Sequence, residues 1–179
     1  MNKEIKNHLK KGCILAFILP NDKYKHILRE IIKSAQGVYE KICYVSLNKP
    51  CTTIKNELEE YGIDCKKFTF IDCVTASVKS AGLKNDTIFV SSPKALTELN
   101  IAIKKIYKHF NVDCVIFDSL STLLIYEPPS TVIKFVHSLV SMFRVNDMAC
   151  IFTVLKNEVG ENVIKDLSMF LDEVVSLGE

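Results

Sequence analysis

Asp118 is the residue best placed for chemistry in this chain. It follows the apolar run Cys114-Val115-Ile116-Phe117 and precedes Ser119, so a carboxylate stands where a buried run gives way to a loop. Such a group can hold a metal ion. It can equally accept hydrogen bonds from nearby backbone or Ser/Thr groups and fix the turn. Lys23, Lys25 and Lys49 follow two other apolar runs. Cations there can form an anion site, or can be the solvated lysines of a Lys-rich chain. His8, His26, His109 and His137 are scattered without metal spacing, and the seven cysteines include no C-x-x-C pair. That argues against a zinc site or a disulfide framework. Cys13, Cys43, Cys114 and Cys150 lie in apolar runs and read as small buried hydrophobes in a reducing compartment. No G-x-S-x-G elbow or Cys–His pair at a catalytic spacing stands out.

The elements that must position these residues alternate along the chain. Cys13 to Leu19 is continuously apolar, as expected of a strand covered on both faces. Asp22 to Ser34 has a helical pattern, with Asn21 or Asp22 as its cap. Ile42 to Leu47 is a second strand, and Thr53 to Tyr61 a helix closed by Gly62. Phe68–Ile71 and Thr87–Val90 are further strands. Leu96, Leu99, Ile103, Ile106 and Phe110 follow helical spacing, which predicts a helix over Pro93–Phe110. Cys114–Phe117 is the strand that ends at Asp118. Pro128-Pro129 breaks the chain, and Ser130 or Thr131 can cap a helix to Arg144. Strands over Ala149–Val154 and Glu173–Leu177 flank a helix over Val163–Phe170. This order predicts one α/β domain over residues 1–179, a mostly parallel sheet with helices on both faces. In such folds ligands bind beyond the carboxyl ends of the strands. The residues found there are Lys23 and Lys25, Asn48 and Lys49, and Asp118.

Cys114-Val115-Ile116-Phe117-Asp118-Ser119-Leu120-Ser121-Thr122-Leu123 closely resembles the Walker B segment of the KaiC-like branch of the RecA superfamily of P-loop ATPases. Tyr44–Leu47 with the helix to Tyr61-Gly62, Phe70-Ile71-Asp72, and Asp172–Leu177 are similar to other segments of that branch. Their order and spacing agree over most of the chain. The resemblance implies a three-layer RecA/KaiC-like fold. For the active members of the family it implies ATP and Mg²⁺ as cofactors.

Three departures bear on that activity. The family's G-x-x-x-x-G-K-[ST] loop wraps phosphates with backbone N–H groups, but Leu19 to His26 contains no glycine. With Lys25 in the place of the phosphate lysine, Asp22 and Tyr24 stand where glycines belong, and His26 replaces the hydroxyl that holds magnesium. After the second strand the family carries a Glu pair. Asn48 and Lys49 stand there instead, and neither is a good general base at neutral pH. The family also continues past its last core strand, whereas this sequence ends at Glu179. The expectation is therefore a catalytically inactive domain, acting as a regulatory or protein-binding module with no cofactor. The alternative is a nucleotide- or phosphate-binding protein with an atypical site made from Lys25, Asn48, Lys49 and Asp118. Asp118 is then the residue for any metal, although Mg²⁺ usually draws on substrate phosphates as co-ligands, which favours a structural role for it.

Lys plus Arg is 23 and Asp plus Glu 21, a net charge of +2, so no global field favours nucleic acid. Arg29 and Arg144 are the only arginines. Arginine reads bases and phosphates bidentately, so sequence-specific nucleic-acid binding is not expected. No run approaches the ~18 apolar residues of a membrane span, and a cytoplasmic protein is expected. The expected assembly is a monomer or small dimer. The helix over Val132–Phe143 has apolar residues on more than one stripe, which suits either a dimer face or burial within its own domain.

Overall fold

The computed structural model describes residues 2–77 and 86–178. Among them, strands β1 (Ile14–Leu19), β2 (Ile42–Ser46), β3 (Phe68–Asp72), β4 (Thr87–Phe89), β5 (Cys114–Asp118), β6 (Ala149–Leu155) and β7 (Glu173–Ser176) form one sheet. Its order is β4-β3-β2-β5-β6-β1-β7. Every pairing is parallel, so the sheet is wholly and not just mostly parallel. Parallel neighbours cannot be joined by tight hairpins, and helices supply the crossovers apart from the β3–β4 connection, part of which lies outside the described residues.

The helices are α1 (Asn2–His8), α2 (Tyr24–Gln36), α3 (Cys51–Glu60), α4 (Leu96–Phe110), α5 (Leu120–Tyr126), α6 (Pro129–Val145) and α7 (Glu161–Ser168). They cover the sheet in two layers. Ile5, Ile27, Ile31, Ile54 and Leu58 of α1–α3 pack on Leu15, Phe17, Tyr44 and Ile116. Leu99, Leu123, Val136, Leu139 and Leu167 of α4–α7 pack on Ala16, Val45, Phe117 and Phe152. Successive residues of each strand thus face different cores, which is why these strands read as unbroken apolar runs.

Several boundaries differ from expectation, each for a local reason. The chain after β1 makes a 3₁₀ turn at Asn21–Lys23, and α2 starts at Tyr24 with no side-chain cap. Asp22 is exposed and caps nothing. Helix α3 begins at Cys51, two residues before Thr53, because Asp72 at the end of β3 accepts the Cys51 N–H at 2.8 Å. Helix α4 begins at Leu96 and not Pro93. Helix α6 opens on Pro129 behind Pro128, with no Ser130 or Thr131 cap; proline suits a first turn whose N–H groups have no helical partner. Helices α1 and α5 were not expected. Helix α5 starts where the Ser119 side chain accepts from Thr122 N, an N-cap. As expected, Gly62 has positive φ, +69°, just past α3.

The apolar face of α6 belongs to the interior. Val132, Phe135, Val136, Leu139, Val140 and Phe143 are all buried against their own sheet, so this face is not available to a dimer. Among the described residues, no helix is long and apolar enough to cross a membrane.

Candidate functional site

Asp118 ends β5 on the face covered by α2 and α3, and only 6% of it is exposed. Two tyrosines hold its carboxylate. Tyr44 of the neighbouring β2 donates to one oxygen at 2.5 Å. Tyr24, the first residue of α2, donates to the other through a short hydrogen bond. The Tyr24 hydroxyl also lies 3.1 Å from Thr153 Oγ1 on β6, and Thr153 in turn donates to the Phe117 carbonyl. The expected partners of Asp118 were backbone or Ser/Thr groups. Thr153 is among the groups that favour the charged form of Asp118, and the two closest partners are phenols, brought from one helix and one adjacent strand. The hydroxyl near Asp118 therefore comes from Tyr24, not from position 26, where His26 is exposed.

Burial raises the Asp118 carboxyl above its ordinary value, although the two phenols and the Lys49 charge pull it down. Burial and the adjacent carboxylate push both phenols well up, so Tyr24 and Tyr44 stay protonated and remain donors. Magnesium seeks several oxygen ligands. Here Asp118 faces O–H donors, and no group of three His, Cys, Asp or Glu that could hold a metal occurs among the described residues. This donor set does not fit a magnesium triphosphate.

Asp72 is the structural counterpart at the end of β3. It is 1% exposed and accepts from Cys51 N, Val74 N, Thr75 N and Thr75 Oγ1 at 2.7–2.9 Å. Burial pushes its carboxyl up, but these bonds outweigh burial and hold it below the ordinary aspartate range. Asp72 ties the start of α3 to the turn after β3.

Helices α2 and α3 border a cleft of about 200 Å³. Tyr24, Lys25, Leu28, Arg29 and Ile32 line it from α2, at spacings that share one helical face. Ile54, Glu57, Leu58 and Tyr61 line it from α3 and the residue after it, and Tyr44, Asp118, Asn48 and Lys49 complete it. The four expected site residues, Lys25, Asn48, Lys49 and Asp118, therefore border one cavity. They differ in circumstance. Lys25 and Asn48 are exposed, Lys49 Nζ is paired with Glu57 at 2.5 Å, and Asp118 is held by its tyrosines. Lys23 is not among the lining residues; its Nζ donates to the Gly178 carbonyl at 3.1 Å.

Sequence reasoning missed the most distinctive lining group. The Arg29 guanidinium carbon lies 3.4 Å from the centre of the Tyr61 ring, a cation–π contact. Its Nε is buried and meets no acceptor among the described residues. The available signal was the rarity of arginine, together with the spacing of Arg29 from Lys25 on one helix. The cysteines behave as expected of core residues. All seven are free, and burial pushes the Cys43 thiol up to about 12. The histidines are dispersed: His8 meets Glu173 at 2.5 Å, and His109 Nδ1 lies 2.8 Å from the Lys105 carbonyl.

The model of a family of unknown function, DUF7504, matches residues 27–177. No curated protein matches the sequence. Among solved structures, the crystal structure of a KaiC-like protein from the hyperthermophilic archaeon Pyrococcus horikoshii OT3 is similar, with a TM-score of 0.67. The match spans 94% of this chain and 72% of that one at 11% identity. The likeness is one of fold: a KaiC/RecA-like α/β architecture around a parallel sheet.

Proposed function

The chain belongs to the DUF7504 family of unknown function; we propose that it is a KaiC/RecA-like domain that no longer hydrolyses ATP and serves as a regulatory or protein-binding module. The observation that carries this reading is the pair of phenols on Asp118. In the fold's active members the corresponding carboxylate serves a metal and its phosphates; here it is spent on holding α2 and β2 to the end of β5. The glycine-free stretch before α2 is a 3₁₀ turn, and the polar residues after β2 are an exposed amide and a lysine already paired with Glu57. Neither supplies a base for water. Seven free thiols suit a reducing cytoplasm, and the module would act as a monomer or small dimer. In an ATPase assay with Mg²⁺, phosphate release should not exceed background. Turnover in the ordinary enzyme range of roughly 1–10³ s⁻¹ that vanished in Asp118→Ala would overturn the proposal.

A second reading, a nucleotide- or phosphate-ligand protein, draws on the convergence of Lys25, Asn48, Lys49 and Asp118 on one cleft. Thermal melts with and without Mg-ATP separate the two. A ligand at a hundredfold excess over its dissociation constant adds about 2.7 kcal/mol. The leading reading expects no shift with Mg-ATP.

A further inference from the structure

We propose that the cleft between α2 and α3 binds a small amphiphilic anion, a carboxylate or phosphate monoester carried on an apolar body, with Arg29 as its anchor. The inference rests on the second reading, a phosphate-ligand protein at this cleft, and narrows it to a small anion with a named anchor. It does not depend on whether ATP is hydrolysed.

The walls of the cleft set the chemistry. Leu28 and Ile32 from one helix, and Ile54 and Leu58 from the other, offer apolar contact. Lys25 and Arg29 bring positive charge to the same space, the charge of Lys49 being met by Glu57. Glu57, a carboxylate lining the same cleft, is engaged by Lys49. Asp118 is engaged by Tyr24 and Tyr44. Arg29 is thus left with its ring contact to Tyr61 and a buried Nε that no acceptor meets. A buried donor without an acceptor is unfavourable, and because Nε is closed to a water-sized group in the unliganded protein, a ligand in the cleft reaches it only as the guanidinium turns. A carboxylate or phosphate is the acceptor that a guanidinium edge matches best, through two parallel N–H···O bonds.

Size narrows the ligand. The cleft holds about 200 Å³, less than the ~300–1,000 Å³ of pockets for drug-sized molecules. A ring or short chain bearing one anionic group fits this space. The same chemistry could arrive as a free organic acid or as a phosphate ester, so both are used as probes.

The test is NMR titration of the unmodified protein with phenyl phosphate and with benzoate, observing backbone amides and the Arg29 Nε–H signal. Benzyl alcohol and inorganic phosphate serve as the neutral and bare-anion controls. At least one anionic probe should saturate, shifting Arg29 Nε–H and the amides of α2 and α3. Both controls should bind at least tenfold more weakly, as should the same probe to Arg29→Gln and to Arg29→Lys, which keeps the charge but loses the fork. The proposal is overturned by no saturable shift up to about 20 mM, well beyond the ~1 mM of weak binding. Shifts confined to another surface would overturn it too, as would equal affinity in both variants, a control that binds as well, or tighter binding of Mg-ATP in this cleft. The mapping on the unmodified protein locates the site even where a variant fails to fold. ATP hydrolysis in the separate assay would remove the loss-of-catalysis reading while the titration still decided the cleft.

Discussion

A carboxylate as enclosed as Asp118 needs hydrogen bonds to remain in the fold, and Tyr24 and Tyr44 provide them. Asp118→Ala would leave two phenols without their acceptor, at a cost of about 1–3 kcal/mol. Denaturant melts in EDTA should show that loss; an unchanged or increased stability would indicate a metal ligand instead. The pH response has a defined sign. The folded-state acidity of Asp118 is weaker than its ordinary value of 3.8, so its contribution is most favourable while it is protonated and declines as pH rises through the raised value. Asp118→Asn cannot titrate. Its stability relative to the unsubstituted protein should therefore rise between about pH 3 and pH 7. Asp72 responds in the opposite sense, because its folded-state carboxyl lies below the ordinary range. Its contribution is full above that range and is lost as pH falls, so the cost of Asp72→Asn should shrink in acid. Urea melts of both variants across this window check the two signs against each other.

At the scale of elements, α3 takes its first turn from a residue of another strand. Asp72 accepts from Cys51 N and from the turn after β3, joining helix and strand in one hydrogen-bonded unit. Asp72→Ala should cost about 1.5–3 kcal/mol, the range for bonds to a charged group. Hydrogen exchange should then quicken first at the start of α3. Helix α6 shows the other control, packing. Leu139 is fully buried beneath it, and Leu139→Ala should cost about 2–5 kcal/mol through the cavity it leaves. Because that face is interior, the substitution should not alter the oligomeric state measured by light scattering.

For the whole molecule, the surface available for assembly is limited. The edge strands β4 and β7 have three and four residues, and short edges resist pairing with another chain. Among the described residues, Tyr61, Ile101, Ile125, Tyr126, Val145 and Met169 are exposed; Ile125 and Tyr126 are neighbours, and exposed hydrophobic residues in such numbers are ordinary on protein surfaces. A stable ring needs specific interfaces of about 1,200 Å² or more. Light scattering at micromolar concentration should give one or two protomers, with and without ATP. A mass near six protomers would overturn the proposed monomer or small dimer.

The sequence by itself determined the layered architecture, because apolar runs between amphipathic segments can be buried on two faces in few ways. It also placed Asp118 at a strand end, and it brought Lys25, Asn48 and Lys49 to the same edge, since each follows a strand of a parallel sheet. The partners of these residues were not legible. Tyr24 and Tyr44 lie 94 and 74 positions from Asp118, and tyrosine carries no local signal that its hydroxyl will seek a distant carboxylate. Arg29 and Tyr61 meet because α2 and α3 lie side by side, a relation that helical periodicity within either segment cannot express. The apolar breadth of α6 was equally compatible with an interface and an interior. Only the tertiary structure decided these matters, because hydrogen-bond partners and buried faces are properties of packed pairs of elements and are not encoded in either element alone.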